Sequence, residues 1–184
     1  NKRMSELHHH QQQQQQQHSE GGFDPRLCET FTSPTNLAVL PYWGPPDVPL
    51  NTPMNSSASL TLDQADLHTI TTVAVSKNFK SDRLWLNGTE VEINNRGKTC
   101  IHEIRKLADD KIDPTTSEVV VKKEDWPSYG IHISSVNTFP TGAGLASSAA
   151  GLACFVTCLA KVFAAKEHYH GQFTAIARQG SGKI

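Results

Sequence analysis

A short segment rich in glycine and serine, FPTGAGLASSAAG at residues 139–151, holds the residue types best suited to binding an anion. Gly142 and Gly144 allow the backbone to approach a ligand closely. The segment leads into an apolar stretch typical of a helix, and the first turn of a helix carries unpaired N–H groups and a partial positive charge. Ser147 and Ser148 add two hydroxyl donors. The pattern therefore predicts a phosphate site at a helix start.

The same residues have a second interpretation, a tight packing turn between a strand and a helix with serine as the N-cap. Two common phosphate motifs do not fit. A Walker A loop requires Gly-x-x-x-x-Gly-Lys followed by Ser or Thr. If Gly182-Lys183 of the late GSGKI segment (180–184) were its Gly-Lys pair, Ala177 would stand at the position of the first Gly and Ile184 at that of the Ser or Thr. The dinucleotide-binding fingerprint does not match either. Residue types alone leave phosphate binding and packing both open.

The elements that would position this segment follow from hydrophobic periodicity. Strands are expected at about 27–32, 36–43, 56–62, 67–76 and 130–136, a hairpin at 83–93 around Asn87-Gly88, and helices at about 96–110, 147–165 and 171–179. Residues 111–128 are expected to form an exposed loop apart from the short apolar run at 119–121. Several strands precede the first helix, which indicates an α+β fold rather than a regular βαβ alternation.

The apolar run at 145–165 is long enough to cross a membrane, but we expect a buried helix. Ser147, Ser148, Thr157 and Lys161 interrupt the run, and its flanks lack aromatic anchors. Its many alanine and glycine residues predict close backbone approach. No membrane partner is expected.

Composition narrows the function classes further. The chain has 184 residues with 17 basic and 18 acidic side chains, which gives no support for a nucleic-acid partner. Its four cysteines form no Cys-x-x-Cys pair, so they indicate neither a zinc site nor a disulfide framework. Free thiols and a start without an apolar signal core predict a cytoplasmic protein. Residues 1–22, rich in His and Gln, are expected to be a disordered tail, which leaves 23–184 as the folded domain.

A family resemblance emerges when the motifs are taken together. NTFPTGAGLASSAAG (137–151) resembles the ATP-binding motif of the diphosphomevalonate decarboxylases, members of the superfamily of galactokinase, homoserine kinase, mevalonate kinase and phosphomevalonate kinase (the GHMP kinases). Four further segments match that family in the same order: PTNLAVLPYWG (34–44), NSSASLTL (55–62), RLWLNG (83–88) and IARQGSG (176–182). The resemblance covers roughly residues 30–184. It implies an N-terminal domain of the GHMP kinase type, which is ribosomal protein S5 domain 2-like, with a mixed sheet and helices packed on one side.

The resemblance also implies a reaction. The family phosphorylates the 3-hydroxyl of mevalonate 5-diphosphate with ATP, and loss of that phosphate and of carbon dioxide gives isopentenyl diphosphate for isoprenoid and sterol biosynthesis. Mg²⁺ is expected to bridge the ATP phosphates, and family members often form homodimers. The ATP-binding positions are Gly142, Ala143, Gly144, Leu145, Ala146, Ser147 and Ser148. The substrate-binding positions are Tyr42, Trp43, Gly44, Arg96, Ser181 and Gly182. No residue of the chain is assigned as a metal ligand.

The departures from the family fall on functional positions. Pro41 and Pro45 replace two lysines of the Lys-Tyr-Trp-Gly-Lys turn, and proline supplies neither charge nor a backbone donor. Lys183 replaces the second serine of the substrate loop. The arginine of that loop and the aspartate that acts on the 3-hydroxyl would lie beyond Ile184, so no catalytic residue is assigned. The alternatives are therefore a decarboxylase and an inactive relative with nucleotide binding or an interaction role; a fragment, a mis-assembled gene product and a pseudoenzyme all fit.

Overall fold

The computed structural model describes residues 24–40, 54–140 and 145–181. The strands are β1 (Cys28–Pro34), β2 (Asn36–Leu40), β3 (Ala58–Thr61), β4 (His68–Ser76), β5 (Arg83–Leu86), β6 (Thr89–Val91), β7 (Lys111–Ile112), β8 (Val119–Val121) and β9 (Gly130–Asn137). The helices are α1 (Asn95–Lys106), α2 (Ser147–Val162) and α3 (Gln172–Gly180), with 3₁₀ turns at Pro25–Leu27 and Lys123–Ser128. The predicted tail at 1–22 lies outside the described residues.

A five-stranded mixed sheet forms the centre of the described fold. Its strand order is β1-β4-β9-β5-β6, and β5 and β9 run parallel whereas the other neighbours are antiparallel. Two smaller antiparallel ladders, β2-β3 and β7-β8, accompany it. This architecture confirms the predicted α+β class with a mixed sheet.

The alternating sequence of β4 explains why one face of the sheet is buried. Successive side chains of a strand point to opposite faces, and alternate residues of β4 from Thr69 to Val75 are completely or almost completely buried. Helix α2 packs against β1, β4 and β9, and α1 and α3 pack against α2. The helices therefore lie on the buried face of the sheet. The start of α2, for which the sequence predicts a phosphate site, lies near one end of the central strands.

The turn between β5 and β6 forms as predicted. Asn87 and Gly88 both have positive φ, 48° and 82°, the backbone conformation of a type I′ hairpin turn. Asparagine and glycine adopt it at least cost. The hairpin thereby brings the Asn87 side chain to the same sheet end as the start of α2.

Helix α1 is shorter than predicted. It ends at Lys106 rather than near residue 110, although Leu107 and Ala108 are buried as expected. The Asp109 side chain accepts a hydrogen bond from the backbone N–H of Asp110 (2.9 Å), and the Asp109 N–H donates to Phe163 O (3.2 Å). Aspartate that bonds to the local backbone in this way competes with the helix.

The prediction of an exposed loop at 111–128, apart from the apolar run at 119–121, is correct for most residues but misses β7 and the burial of Trp126. The segment contains β7, β8 and a 3₁₀ turn whose Trp126 is only 2% exposed. The Trp126 indole N–H donates to Asp109 O (2.9 Å), and its ring meets Tyr129 and Phe163 edge to face, with centroids 5.3 and 4.9 Å away. Sequence periodicity misses a single buried aromatic in a segment that has no repeating pattern.

We expect Trp126→Ala to lower the free energy of unfolding by about 3–5 kcal/mol, because it removes a large buried ring and leaves a cavity. Urea denaturation followed by circular dichroism measures this change. Trp85→Ala is the matched control, since Trp85 is only half-buried and lies outside the hydrophobic core. Equal losses for the two variants would contradict an anchoring role for Trp126.

No helix in the described parts of the chain has both the length and the hydropathy needed to cross a membrane. The apolar run that raised this question forms α2, a helix of 16 residues whose buried side includes Cys154, Cys158 and Leu159. The sequence prediction of a buried helix is therefore confirmed.

Candidate functional site

Helix α2 begins directly at the two adjacent serines. Its N-cap is Ala146, which adopts a left-handed conformation (φ 50°) and provides no capping hydrogen bond from a side chain. The interpretation of a serine as N-cap is therefore wrong: Ser147 and Ser148 are the first two helical residues. Their backbone N–H groups have no acceptor within the helix, so this helix end presents donors as well as the positive end of the dipole.

A cavity of about 350 Å³ opens beside this helix end. It lies between the end of the sheet and parts of all three helices. The apolar lining residues are Leu84, Leu86, Ile93, Ile133, Leu152 and Phe155. The polar ones are Thr71, Asn87, Asn94, Ser135, Asn137, Ser147 and Ser148, and Gly97, Gly151 and Gly180 complete the wall.

The cavity is lined by apolar side chains together with a set of polar groups, the usual composition of a small-molecule site. Its volume is at the low end of such sites, which commonly enclose about 300–1,000 Å³. No described lining residue carries a charged side chain, so these residues would bind an anion through N–H and hydroxyl donors.

Two helix N-termini border the cavity, and they differ in one respect. At the start of α1, the Asn94 side chain accepts a hydrogen bond from Gly97 N–H (2.9 Å) and caps the helix. The start of α2 has no such side-chain cap. The cap at α1 satisfies one N–H group, so both helix ends keep donors in their first turn. What distinguishes α2 is that the hydroxyls of Ser147 and Ser148 line the cavity beside its first N–H groups.

Small residues shape the wall opposite the sheet. A Cβ atom on Gly180 would lie 2.7 Å from Cδ1 of Leu152, so α2 and α3 approach closely there. A Cβ atom on Gly151 would meet no atom within 4 Å. The close approach predicted for the glycines of α2 is therefore absent at Gly151, which faces the cavity instead.

The structure brings together two of the motifs singled out from the sequence. Ser147 and Ser148 line the cavity, and the hydroxyls of Ser148 and the buried Ser181 lie 3.4 Å apart. Leu145 and Ala146 precede the helix without lining the cavity.

Of the remaining predicted site residues, Arg96 is the one within the described parts of the chain, and it does not lie at the cavity. Arg96 is exposed near the start of α1, is not a lining residue and forms no ion pair with a described residue. Outside the described residues lie the positions Tyr42, Trp43, Gly44, Gly142, Ala143, Gly144 and Gly182, as well as the substituted Pro41, Pro45 and Lys183.

Sequence reasoning missed the polar residues that the sheet contributes to the cavity. Asn87 Oδ1 accepts a hydrogen bond from Asn137 N–H (2.9 Å), and the hydroxyls of Thr71 and Ser135 lie 2.9 Å apart. A signal was present: TITTVAV (69–75) and IHISSVN (131–137) each contain polar residues on the face that is otherwise apolar. Periodicity marks both segments as strands, but only the register shows that their polar ends coincide.

The buried thiols behind the cavity belong to the packing of α2. Burial raises the pKa of Cys154 to about 11 and that of Cys158 to about 12, so both are protonated at neutral pH. Their S–H groups donate to Thr69 O (3.4 Å) and Thr71 O (3.2 Å). They are neutral donors there, not nucleophiles. The described residues contain no group of three His, Cys, Asp or Glu side chains placed to hold a metal ion.

Comparison with known proteins adds independent evidence. The family model of the diphosphomevalonate decarboxylase-like N-terminal domain matches residues 33–183. The diphosphomevalonate decarboxylase of Rattus norvegicus is 45% identical over 157 residues, which cover 85% of this chain and 37% of that protein. The chain thus spans little more than a third of that relative.

Solved structures agree. Mevalonate diphosphate decarboxylase from Trypanosoma brucei superposes with a TM-score of 0.67 and 30% identity over 84% of this chain and 38% of that one. A structure on the mevalonate diphosphate mediated ATP binding mechanism of the Enterococcus faecalis enzyme superposes with a TM-score of 0.63 and 29% identity, over 85% of this chain and 43% of that one. A complex of MDDEF with MVAPP, AMPPCP and magnesium also has a TM-score of 0.63 and 29% identity, over 85% of this chain and 42% of that one. Motifs, fold and comparisons agree that this chain belongs to the diphosphomevalonate decarboxylase-like family, within its N-terminal domain.

Proposed function

We propose that this chain is the nucleotide-binding part of a diphosphomevalonate decarboxylase. The whole protein would use ATP to convert mevalonate 5-diphosphate into isopentenyl diphosphate, with release of ADP, phosphate and carbon dioxide. One observation carries the proposal: the cavity reaches the N-terminus of α2, where Ser147 and Ser148 line it and the N-cap residue Ala146 provides no side-chain cap. Related structures that hold AMPPCP and magnesium, or that concern ATP binding, support it.

The geometry suggests how ATP would lie. Its base and sugar would occupy the apolar part of the cavity against Leu84, Leu86 and Phe155. Its phosphates would extend to Ser147 and Ser148, where backbone N–H groups, hydroxyls and the helix dipole all favour negative charge. The predicted loop residues Gly142, Ala143 and Gly144 would complete this phosphate site.

The contact between Ser148 and Ser181 supports a position for the second substrate. Ser181 belongs to the predicted substrate loop with Gly182, and its hydroxyl lies 3.4 Å from that of Ser148. Loops this close would hold the terminal phosphate of ATP beside the hydroxyl that receives it, as phosphoryl transfer requires. Tyr42, Trp43, Gly44 and Arg96 remain predictions for the same substrate.

Magnesium fits this site through oxygen ligands of the nucleotide. No described lining residue is an aspartate or glutamate, so the ion would be held by ATP phosphate oxygens, with a hydroxyl of Ser147 or Ser148 and water completing its shell. When bound, magnesium neutralises phosphate charge. The serines would orient the phosphates.

We expect Ser148→Asp to weaken ATP binding by roughly tenfold or more, because a carboxylate at the helix start repels the phosphates proposed to bind there. Adenosine binding should change by less than about twofold, since adenosine carries no phosphate. Isothermal titration of both ligands in the presence of Mg²⁺ measures these affinities.

Thr157→Asp is the matched control for added charge, because Thr157 is exposed near the middle of the same helix. The new aspartate at position 148 should itself stabilise the helix by about 0.3–1 kcal/mol, so unfolding would not explain weaker binding. Equal ATP affinities of Ser148→Asp and the wild type would show that phosphates do not bind at this helix end.

A further inference from the structure

The neighbouring strands β4 and β9 change from apolar to polar buried residues at the same level of the sheet. On the face that packs against the helices, β4 presents Thr69 and Thr71 followed by two valines, and antiparallel β9 presents two isoleucines followed by Ser135 and Asn137. The register pairs Thr71 with Ser135 and Thr69 with Asn137. The four polar residues therefore form two directly opposed pairs at the end of the strands beside the cavity.

Each pair is joined by a hydrogen bond between side chains. Thr69 Oγ1 donates to Asn137 Oδ1 at 2.7 Å, and the hydroxyls of Thr71 and Ser135 lie 2.9 Å apart. Thr69 is 0% exposed and does not line the cavity, whereas Asn137 does. Thr71 and Ser135 are both buried and both border the cavity, and their hydrogen bond fixes the orientation of the two hydroxyls relative to each other.

Packing alone does not explain threonine at these positions. Valine has nearly the same shape, occupies the next two positions of this row and needs no hydrogen-bond partner. Burial of a hydroxyl is costly unless it is hydrogen-bonded, so the two hydroxyls gain nothing over methyl groups in the core. What they add is a fixed orientation for Ser135 and Asn137.

Helix α2 forms hydrogen bonds to the backbone of the same two threonines. The thiols of Cys154 and Cys158 donate to the carbonyl oxygens of Thr69 and Thr71. Thr69 and Thr71, which bond to Asn137 and Ser135, are therefore also two of the points where α2 contacts the sheet.

We propose that Thr69 and Thr71 are positioning residues for the nucleoside part of the nucleotide, and that they act through Asn137 and Ser135. This inference rests on the proposed nucleotide binding. With both hydroxyls in place, Ser135 and Asn137 each present one fixed pattern of donors and acceptors to the ligand. Without them, the same side chains rotate or turn their polar atoms toward the vacated partner, and the cavity loses affinity for the base and sugar but not for phosphates.

The test compares two ligands, MgATP and magnesium tripolyphosphate, by isothermal titration on the full chain. Thr71→Val should weaken ATP binding by roughly three- to tenfold, the usual worth of one hydrogen bond. Tripolyphosphate engages only the helix end, so its affinity should stay within about twofold. Thr71→Ser, which keeps the hydroxyl, should restore ATP affinity. Thr69→Val should behave like Thr71→Val.

The matched control lies on the opposite face of the same strand. The hydroxyls of Thr72 and Thr30 lie 2.8 Å apart on the exposed face, so Thr72→Val removes a similar bond without touching the cavity. It should leave the affinities of both ligands unchanged. A double-mutant cycle tests the route: in a Ser135→Ala background, Thr71→Val should add almost no further loss.

Several outcomes would overturn the inference. Equal losses for ATP and tripolyphosphate would indicate general loosening of the fold, and additive losses in the cycle would show that Thr71 does not act through Ser135. If Thr71→Val does not fold, Ser135→Ala alone must show the same selective loss. A wild-type chain that binds neither ligand would refute the proposed function itself, whereas ATP binding that is insensitive to all these variants would refute only the positioning role.

Discussion

Gly151→Phe is expected to abolish measurable nucleotide binding while the protein remains folded. A side chain at position 151 would project from α2 into the cavity, because a Cβ atom there meets nothing within 4 Å and the residue lines the cavity wall. A phenyl ring would occupy the apolar space that we assign to the base. We expect the Kd for ATP to rise at least about a hundredfold, the equivalent of roughly 2.7 kcal/mol.

Two controls separate occlusion from damage to the fold. Gly151→Ala should stabilise the chain by about 0.5–1 kcal/mol, because alanine is the better helix former, and should affect binding much less than phenylalanine. Thr157→Phe places the same ring on an exposed position of α2. Thermal unfolding without ligand should show all three variants folded. ATP binding by Gly151→Phe within twofold of the wild type would place the nucleotide elsewhere.

The 184-residue polypeptide, purified by itself, is expected to bind ATP without converting mevalonate 5-diphosphate. The family resemblance places lysines where Pro41 and Pro45 stand, and it places the carboxylate-binding arginine and the aspartate of the 3-hydroxyl in sequence beyond Ile184. Loss of one charge-stabilising donor commonly lowers a rate by about 10²–10³-fold. These effects are not additive, but one or two of them already bring turnover close to the limit of detection.

A coupled assay for phosphate release, at saturating ATP and mevalonate 5-diphosphate, measures this directly. The reference is the decarboxylase of Rattus norvegicus, and the match to this chain covers 37% of that protein. ATP titration of the 184-residue polypeptide used in the assay reports binding. Turnover comparable to the reference would contradict the prediction. Absence of turnover with ATP bound would support a nucleotide-binding part without catalysis. Absence of binding, with circular dichroism of an unfolded chain, would show that this polypeptide does not hold its fold alone.

Local patterns predicted the described elements well, with errors where the pattern was weak. Asn87-Gly88 was sufficient for the β5-β6 turn because few residue pairs accept positive φ at both positions. The alternation of β4 and the apolar run of α2 marked one strand and one buried helix. The end of α1 and the burial of Trp126 escaped prediction, because an aspartate bonding to local backbone and a single aromatic in a 3₁₀ turn leave no periodic signal.

The sequence by itself determined the family, and it predicted an anion-binding role for the start of α2. The prediction from glycines followed by two serines and an apolar helix depends only on local backbone geometry. The family can be recognised from the order of the motifs along the chain, without knowledge of the fold. Only the tertiary structure decided that Ala146, not a serine, is the N-cap. It also showed that Ser148 meets Ser181 across 33 positions of the chain, and that Thr71 and Ser135 form one buried pair beside a cavity. Those facts depend on strand register and helix packing, which arise from contacts between distant segments and are not encoded in the spacing of neighbouring residues.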